Sequence, residues 1–309
     1  MTDIAAVQGR VSLRTAMFRR KRDFPFRPQA SREIAMLKYV SLPACAAAIL
    51  LALSAIAPVS AQFAGQSLDE VVQVRLLEGW RSEANHHMAA IHITMAPGWK
   101  TYWRAPGQGG IPPRLRLDPV EGVDGMSIHW PRPEVFFNNG MRSIGYHGDV
   151  ILPLEFMVSE NGTFLIEGQI DLGVCQDVCM PVTVDLEGVL SPGGRRDPLI
   201  AAALSDRPLS GAESGAGHAT CAVTPISDGL RVEVRVRAPS VGENETVVFE
   251  LPDPGIWISE TTAERDGDII TAAADVVPAD AGPFAMNRSD LKITVLGSHM
   301  AIELQGCHG

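Results

Sequence analysis

Apolar and polar residues alternate in short segments along this chain from about Leu68 to its end, and Gly, Pro, Asn and Asp separate the segments. In Met88–Met95, residues Ala89, Ile91, Ile93 and Met95 fall on one face and His92 and Thr94 on the other, the period of a half-buried strand. Val71–Leu76, Trp99–Arg104, Met126–Trp130, Ile144–Tyr146, Val150–Phe156, Thr163–Ile170 and Val182–Leu186 read as strands too, and Glu134–Gly140 as a loop with an aromatic tip. Residues 191–219 differ. Asp197 followed by Pro198 and an Ile-Ala-Ala-Ala-Leu run predicts one short capped helix, and Pro208–Gly217 has the composition of a flexible linker. Strands then resume: Leu230–Arg237 alternates strictly, and Val247–Leu251, Ile256–Ile258, Ile269–Thr271, Leu291–Val295 and Ala301–Leu304 follow. No long helical period occurs, so the predicted fold is all-β: two β-sandwiches in tandem, over residues 62–190 and 220–309, joined by a linker over 191–219 that carries one short helix.

The first 61 residues stand apart. Met36-Leu-Lys38, the apolar run Ala44 to Ala57 and Pro58-Val-Ser-Ala61 have the layout of a signal peptide, with a true start near Met36 and a mature chain from about Gln62. Export by cleavage is the expectation, and an uncleaved membrane anchor the less favoured alternative, because the run is short and rich in small residues. The leader holds nine of the 26 Lys/Arg and three of the 36 Asp/Glu, so the mature chain carries a net charge near −16. That acidity disfavours nucleic acid as a partner. Loss of Cys45 leaves four cysteines, an even number suited to an oxidising compartment. Cys221 and Cys307 bracket the second sandwich and are expected to form a structural disulfide.

The chemistry concentrates at Asp171-Leu-Gly-Val-Cys175-Gln-Asp-Val-Cys179-Met-Pro181. On one straight strand the two cysteines would lie about 13 Å apart, too far to bond. Gly173, Asp177 and Pro181 are residues that favour turns or end strands, and a reversal at Gln176-Asp177-Val178 sets the cysteines opposite each other across a hairpin, within disulfide range. The residues leave three roles open: redox exchange, a structural staple, or a soft metal site. So short a loop makes a weak staple, which favours a reactive bond. A copper(I) site would recruit Met180 with His147 or the His86–His87 pair. No basic residue lies beside the cysteines in sequence, and the CxxC of thioredoxin-like proteins is absent.

Further motifs surround this one: Pro97-Gly-Trp-Lys-Thr-Tyr-Trp-Arg104 with Gly110-Ile-Pro-Pro113, Trp130-Pro-Arg-Pro133, Gly145-Tyr146 with Leu152-Pro153, and Val174-Cys-Gln-Asp-Val-Cys-Met-Pro181. In this order, over residues 68–190, they resemble the N-terminal (alpha) domain of the thiol:disulfide interchange protein DsbD, and more closely its relatives in the ScsB-type membrane reductases linked to copper tolerance. The resemblance implies an immunoglobulin-like fold in which Cys175 and Cys179 relay electrons without a cofactor, as part of a protein-disulfide reductase system in the periplasm. It implies a membrane-embedded thiol donor and thioredoxin-like periplasmic acceptors. It places Phe136 and Phe137 at a cap over the disulfide and Tyr102 near the sulfurs. These 309 residues hold no counterpart of the membrane section or the thioredoxin-like domain of DsbD, so the expected donor is a separate protein. A periplasmic copper(I)-binding module using the same two sulfurs is the alternative.

Overall fold

The structure is a computed structural model that describes residues 67–309 except 84, 139, 160, 161 and 281–283; the leader lies outside the described residues. After a one-turn helix, Leu68–Val71, the chain forms β1 (Val72–Glu83), β2 (His86–Met95), β3 (Lys100–Tyr102), β4 (Arg114–Leu117), β5 (Val123–Ile128), β6 (Glu134–Asn138), β7 (Met141–His147), β8 (Val150–Val158), β9 (Phe164–Cys175) and β10 (Cys179–Leu190). One sheet has the order β1-β2-β8-β5. The other has the order β10-β9-β3-β7-β6, with β4 also paired to β9. On the predicted core face of β2, Ala89, Ile91 and Ile93 are fully buried and Met95 nearly so, but the strand is not half-buried: Met88, Ala90 and His92 on its other face are buried too. The core-face residues pack with Leu152, Leu154 and Phe156 of β8 against Ile170, Leu172 and Val174 of β9, which forms the core between the sheets. Removing this apolar surface from water is the main stabilising term.

The predicted helix forms at Pro198–Ser205. The Asp197 carboxylate accepts hydrogen bonds from the Leu199 and Ile200 amides, so it caps the helix as its position suggests. Ile200 is fully buried with Met88 and Ala90, so the helix covers part of the outer face of the β1-β2-β8-β5 sheet. The stretch read as flexible, Pro208–Gly217, holds regular structure instead. Leu209–Ser210 is β11, paired in parallel with Ile302 and Glu303, and the turn of helix Gly211–Ser214 begins at a capping box between Ser210 and Glu213. Its Ser/Gly/Ala composition resembles a linker, but the cap and the sheet edge supply partners that composition does not reveal.

The second sandwich continues with β12 (Thr220–Pro225), β13 (Leu230–Arg237), β14 (Thr246–Glu250), β15 (Ile256–Ile258), β16 (Thr262–Asp266), β17 (Ile269–Pro278), β18 (Lys292–Leu296) and β19 (Ala301–Gln305). Its sheets run β11-β19-β18-β14 and β12-β13-β17-β15, with β16 also on β17. Cys221 and Cys307 are bonded and buried, 86 residues apart in sequence. Closing so long a loop stabilises the fold by about 4–5 kcal/mol in the chain-entropy model, against about 2 kcal/mol for the four-residue separation of the other pair.

The two sandwiches are locked together. Leu296 and Ala301 of the second are buried with the core of the first. Arg104, just past β3, makes two 2.9 Å hydrogen bonds to Glu250 and a third to Glu303. Burial alone would lower the Arg104 pKa; the two carboxylates outweigh it and raise it.

Candidate functional site

β9 and β10 are two arms of one hairpin, and the chain reverses at Gln176-Asp177-Val178. Cys175 and Cys179 are register partners with Cα atoms 4.1 Å apart, and they are disulfide-bonded. The two sulfurs are not equivalent. Cys175 ends a central strand and is 1% exposed, whereas Cys179 begins the edge strand and is exposed. Pro181, read as a strand breaker, lies inside β10, and an edge strand tolerates it because no ladder partner needs its missing amide.

In-register partners share a face of the sheet, so the ladder defines the surroundings of the disulfide. Lys100 is the partner of Cys175 on one side and of His147 on the other, and Tyr102 is the partner of Gly145. On β6 and β7 the same face carries Glu134, Phe136, Ser143, Gly145 and His147.

Tyr102 is 2% exposed, and its hydroxyl lies 2.9 Å from Cys175 Sγ, 3.0 Å from Cys179 Sγ and 3.3 Å from the Gly109 carbonyl oxygen. Neither a disulfide nor a carbonyl has a proton to give, so the phenol is the donor, and its one proton is shared among the two sulfurs and the Gly109 carbonyl oxygen. Burial pushes the phenol's pKa above the ordinary value and keeps that proton in place.

Gly173 lets the ring lie there, and Gly145 lets β7 run close to the backbone of β3. A Cβ at Gly173 would fall 2.6 Å from Ile111 Cβ and 3.1 Å from Tyr102 Cδ2. One at Gly145 would fall 2.1 Å from the Thr101 carbonyl oxygen and 2.9 Å from Tyr102 Cα. Gly173, read as a turn residue, is thus a strand residue that leaves room for the ring. On the far side of Tyr102 the loop through Pro106, Gly110 and Ile111 closes in; a Cβ at Gly110 would sit 2.4 Å from Pro106 Cβ.

The aromatic segment is a β-hairpin, not a loop: β6 pairs with β7 from Glu134↔Gly145 to Asn138↔Met141. Alternation separates its two phenylalanines. Phe136 is half-buried on the disulfide face, its ring centroid 4.9 Å from that of His147 and 4.7 Å from Lys100 Nζ. Phe137 is 70% exposed and is the partner of Arg142 on the other face. Lys100 is the residue that neighbour-by-neighbour reading misses. It is 75 positions from Cys175 in sequence, but it lies directly across the ladder and is 6% exposed. The signal was its two-residue spacing from Tyr102, which puts both on one face of a strand.

The suggested copper ligands do not converge. Met180 is the partner of Val174, which is fully buried, so it faces the core, away from the sulfurs. His87 is fully buried in the opposite sheet, where its Nε2 meets the Glu78 carbonyl oxygen at 2.6 Å. His86 pairs with Glu155 and His147 with Glu134, at 3.0 and 2.9 Å. Among the described residues no group of three or more His, Cys, Asp or Glu is arranged to hold a metal ion.

Comparison with known proteins agrees with this architecture. Residues 59–191 match the family described as "Thiol:disulfide interchange protein DsbD, N-terminal". Among solved structures, the N-terminal periplasmic domain of ScsB from Proteus mirabilis is similar in fold, with a TM-score of 0.59 and 22% identity over 79% of this chain and 96% of that one. None of the curated proteins matches the sequence. Residues 59–191 are therefore a domain of the DsbD N-terminal type, carried in an ScsB-like tandem of β-sandwiches.

Proposed function

We propose that this protein is a periplasmic thiol–disulfide relay whose working bond is Cys175–Cys179. The carrying observation is the asymmetry of the pair: one sulfur is exposed at a turn, and the other is buried under a phenol that donates toward both. A thiolate of a membrane-embedded dithiol donor attacks Cys179 Sγ. The Cys175–Cys179 bond breaks, the donor–Cys179 bond forms, and the electron pair leaves on Cys175 Sγ. The donor's second thiol then displaces Cys179. Donor dithiol becomes disulfide, and this pair becomes a dithiol carrying two electrons and two protons. In the forward step Cys179 attacks the disulfide of a thioredoxin-like acceptor, and Cys175 resolves the mixed disulfide.

Val178, in the turn between the two cysteines and 72% exposed, gives an acceptor an apolar side chain to dock on beside the exposed sulfur. Phe136 is the side chain that shields the disulfide face. The copper(I) alternative retains only the two sulfurs, because Met180 faces the core, His86 and His87 lie in the other sheet and His147, although on the disulfide face, is bonded to Glu134.

Trapping tests the reading. Cys175→Ser, mixed with an oxidised thioredoxin-fold protein bearing a CxxC disulfide, should accumulate a mixed disulfide through Cys179; Cys179→Ser should not. In glutathione buffers the wild-type pair should titrate between about −180 and −270 mV. A potential below about −300 mV would mark a structural bond and end the relay reading.

A further inference from the structure

We propose that Lys100 is a positioning residue of this site: its ammonium is the counter-charge for the Cys175 thiolate when the disulfide opens, held in reserve against Phe136 while the bond is closed. The inference deepens the relay reading and rests on it.

Four observations carry it. First, when Cys179 is attacked, the sulfur that must leave as an anion is the buried one, at 1% exposure. An anion in such a place needs a hydrogen-bond donor and an opposite charge. Tyr102 supplies the donor at 2.9 Å but brings no charge. Second, Lys100 is the β-ladder partner of Cys175 and shares its face. Third, Lys100 is 6% exposed, and among the described residues neither an ion pair nor a hydrogen bond occupies its ammonium, which lies 4.7 Å from the centre of the Phe136 ring. A buried lysine with no acidic partner is a poor choice for packing alone, because a methionine would fill the space without desolvating a charge. Fourth, the other charged or titratable groups on this face are committed, wrongly signed or farther along the sheet, as Arg114 is, opposite Asp171 and four residues from the Cys175 row. His147 is bonded to Glu134 at 2.9 Å, Asp171 is held by Arg116 and Thr183, and Asp177 in the turn is acidic.

The flexible four-carbon stem makes the transfer simple. With the disulfide closed, the ammonium rests on the electron-rich face of Phe136. When the bond to Cys179 breaks, the electron pair settles on Cys175 Sγ and the ammonium moves toward it. Phe136 thereby loses the cation that ties it to β3. Reduction of the pair is thus linked to the hairpin that shields it.

The test uses the mature protein with Cys179→Ser, so that Cys175 is the single free thiol and Cys221–Cys307 stays closed. Thiolate absorbance near 240 nm is followed against pH for Lys100, Lys100→Met and Lys100→Arg. Lys100→Met should reduce the thiolate fraction at neutral pH about tenfold, the effect of losing a nearby opposite charge; Lys100→Arg should stay within about threefold of the parent. With both cysteines present, Lys100→Met should also slow reduction by dithiothreitol about tenfold. Circular dichroism and thermal melts check that each variant is folded. A folded Lys100→Met variant with an unchanged titration and an unchanged rate overturns the proposal and leaves Lys100 as packing. That outcome is separate from failure of the relay, which appears in the wild-type potential and in the trapping of Cys179.

Discussion

Replacing Gly173 by Ala tests the geometry on which the site depends. Its φ is not in the left-handed region, so backbone strain plays no part and only space matters. The new methyl would sit 2.6 Å from Ile111 Cβ, 3.1 Å from Tyr102 Cδ2 and 3.2 Å from the Ile111 carbonyl oxygen. Carbon atoms in good contact stand about 3.5–4.0 Å apart. The Ile111 loop must therefore retreat by about 1 Å and the Tyr102 ring by about half that. Overpacking of this kind costs about 1–3 kcal/mol. The displaced ring also takes its hydroxyl away from the two sulfurs. Urea unfolding followed by tryptophan fluorescence suits the measurement, because Trp80, Trp99, Trp103 and Trp130 all lie in the first sandwich. The decisive comparison is a cycle with Ile111→Gly, which removes the atom that clashes. Gly173→Ala should be at least about 1 kcal/mol less harmful in the Ile111→Gly background. Additivity within about 0.5 kcal/mol, or a loss below 0.5 kcal/mol for Gly173→Ala alone, would refute the argument that Gly173 makes room for the tyrosine.

Tyr102→Phe in the Cys179→Ser background should raise the Cys175 thiol titration midpoint by about one to two pH units, because a hydrogen bond to a charged group is worth about 1.5–3 kcal/mol; an unchanged midpoint in the 240 nm titration would show that the phenol does not serve the thiolate. Arg104→Met leaves Glu250 and Glu303 facing each other without their cation and should destabilise the joined sandwiches by roughly 3 kcal/mol, the low end for a buried pair because Glu303 is 30% exposed and keeps Lys292 at 3.5 Å; thermal denaturation checks it. Burial lowers the His87 pKa below 6.5, so the unfolded chain binds its proton first. The stability owed to neutral His87 is therefore complete above about pH 6.5 and lost as pH falls below it, by at most about 1.4 kcal/mol per pH unit until the folded state also protonates. His87→Gln should flatten the urea-unfolding stability between pH 7.5 and 5.5, and equal slopes in the two proteins would contradict this.

Local pattern was enough for the parts of this protein that local physics controls. Period-two alternation in Met88–Met95 and Leu230–Arg237 determined which side chains face a core, because a strand's side chains must alternate. Asp197-Pro198 determined a helix start, because a carboxylate at that position meets free amides. The four-residue spacing of Cys175 and Cys179, with turn-forming residues between them, determined a hairpin. Pairing between distant strands is not written in such patterns, and only the tertiary structure decided it. It set Lys100 across from Cys175 and Tyr102 beneath both sulfurs, turned Gly173 from a turn residue into a space-maker, and sent Phe136 and Phe137 to opposite faces of β6. It also turned Met180 away from the sulfurs and drew Leu209–Ser210 into a sheet. The reason is physical: a strand's own sequence says which residues share a face, but which other strand lies beside that face is decided by burial summed over the whole core.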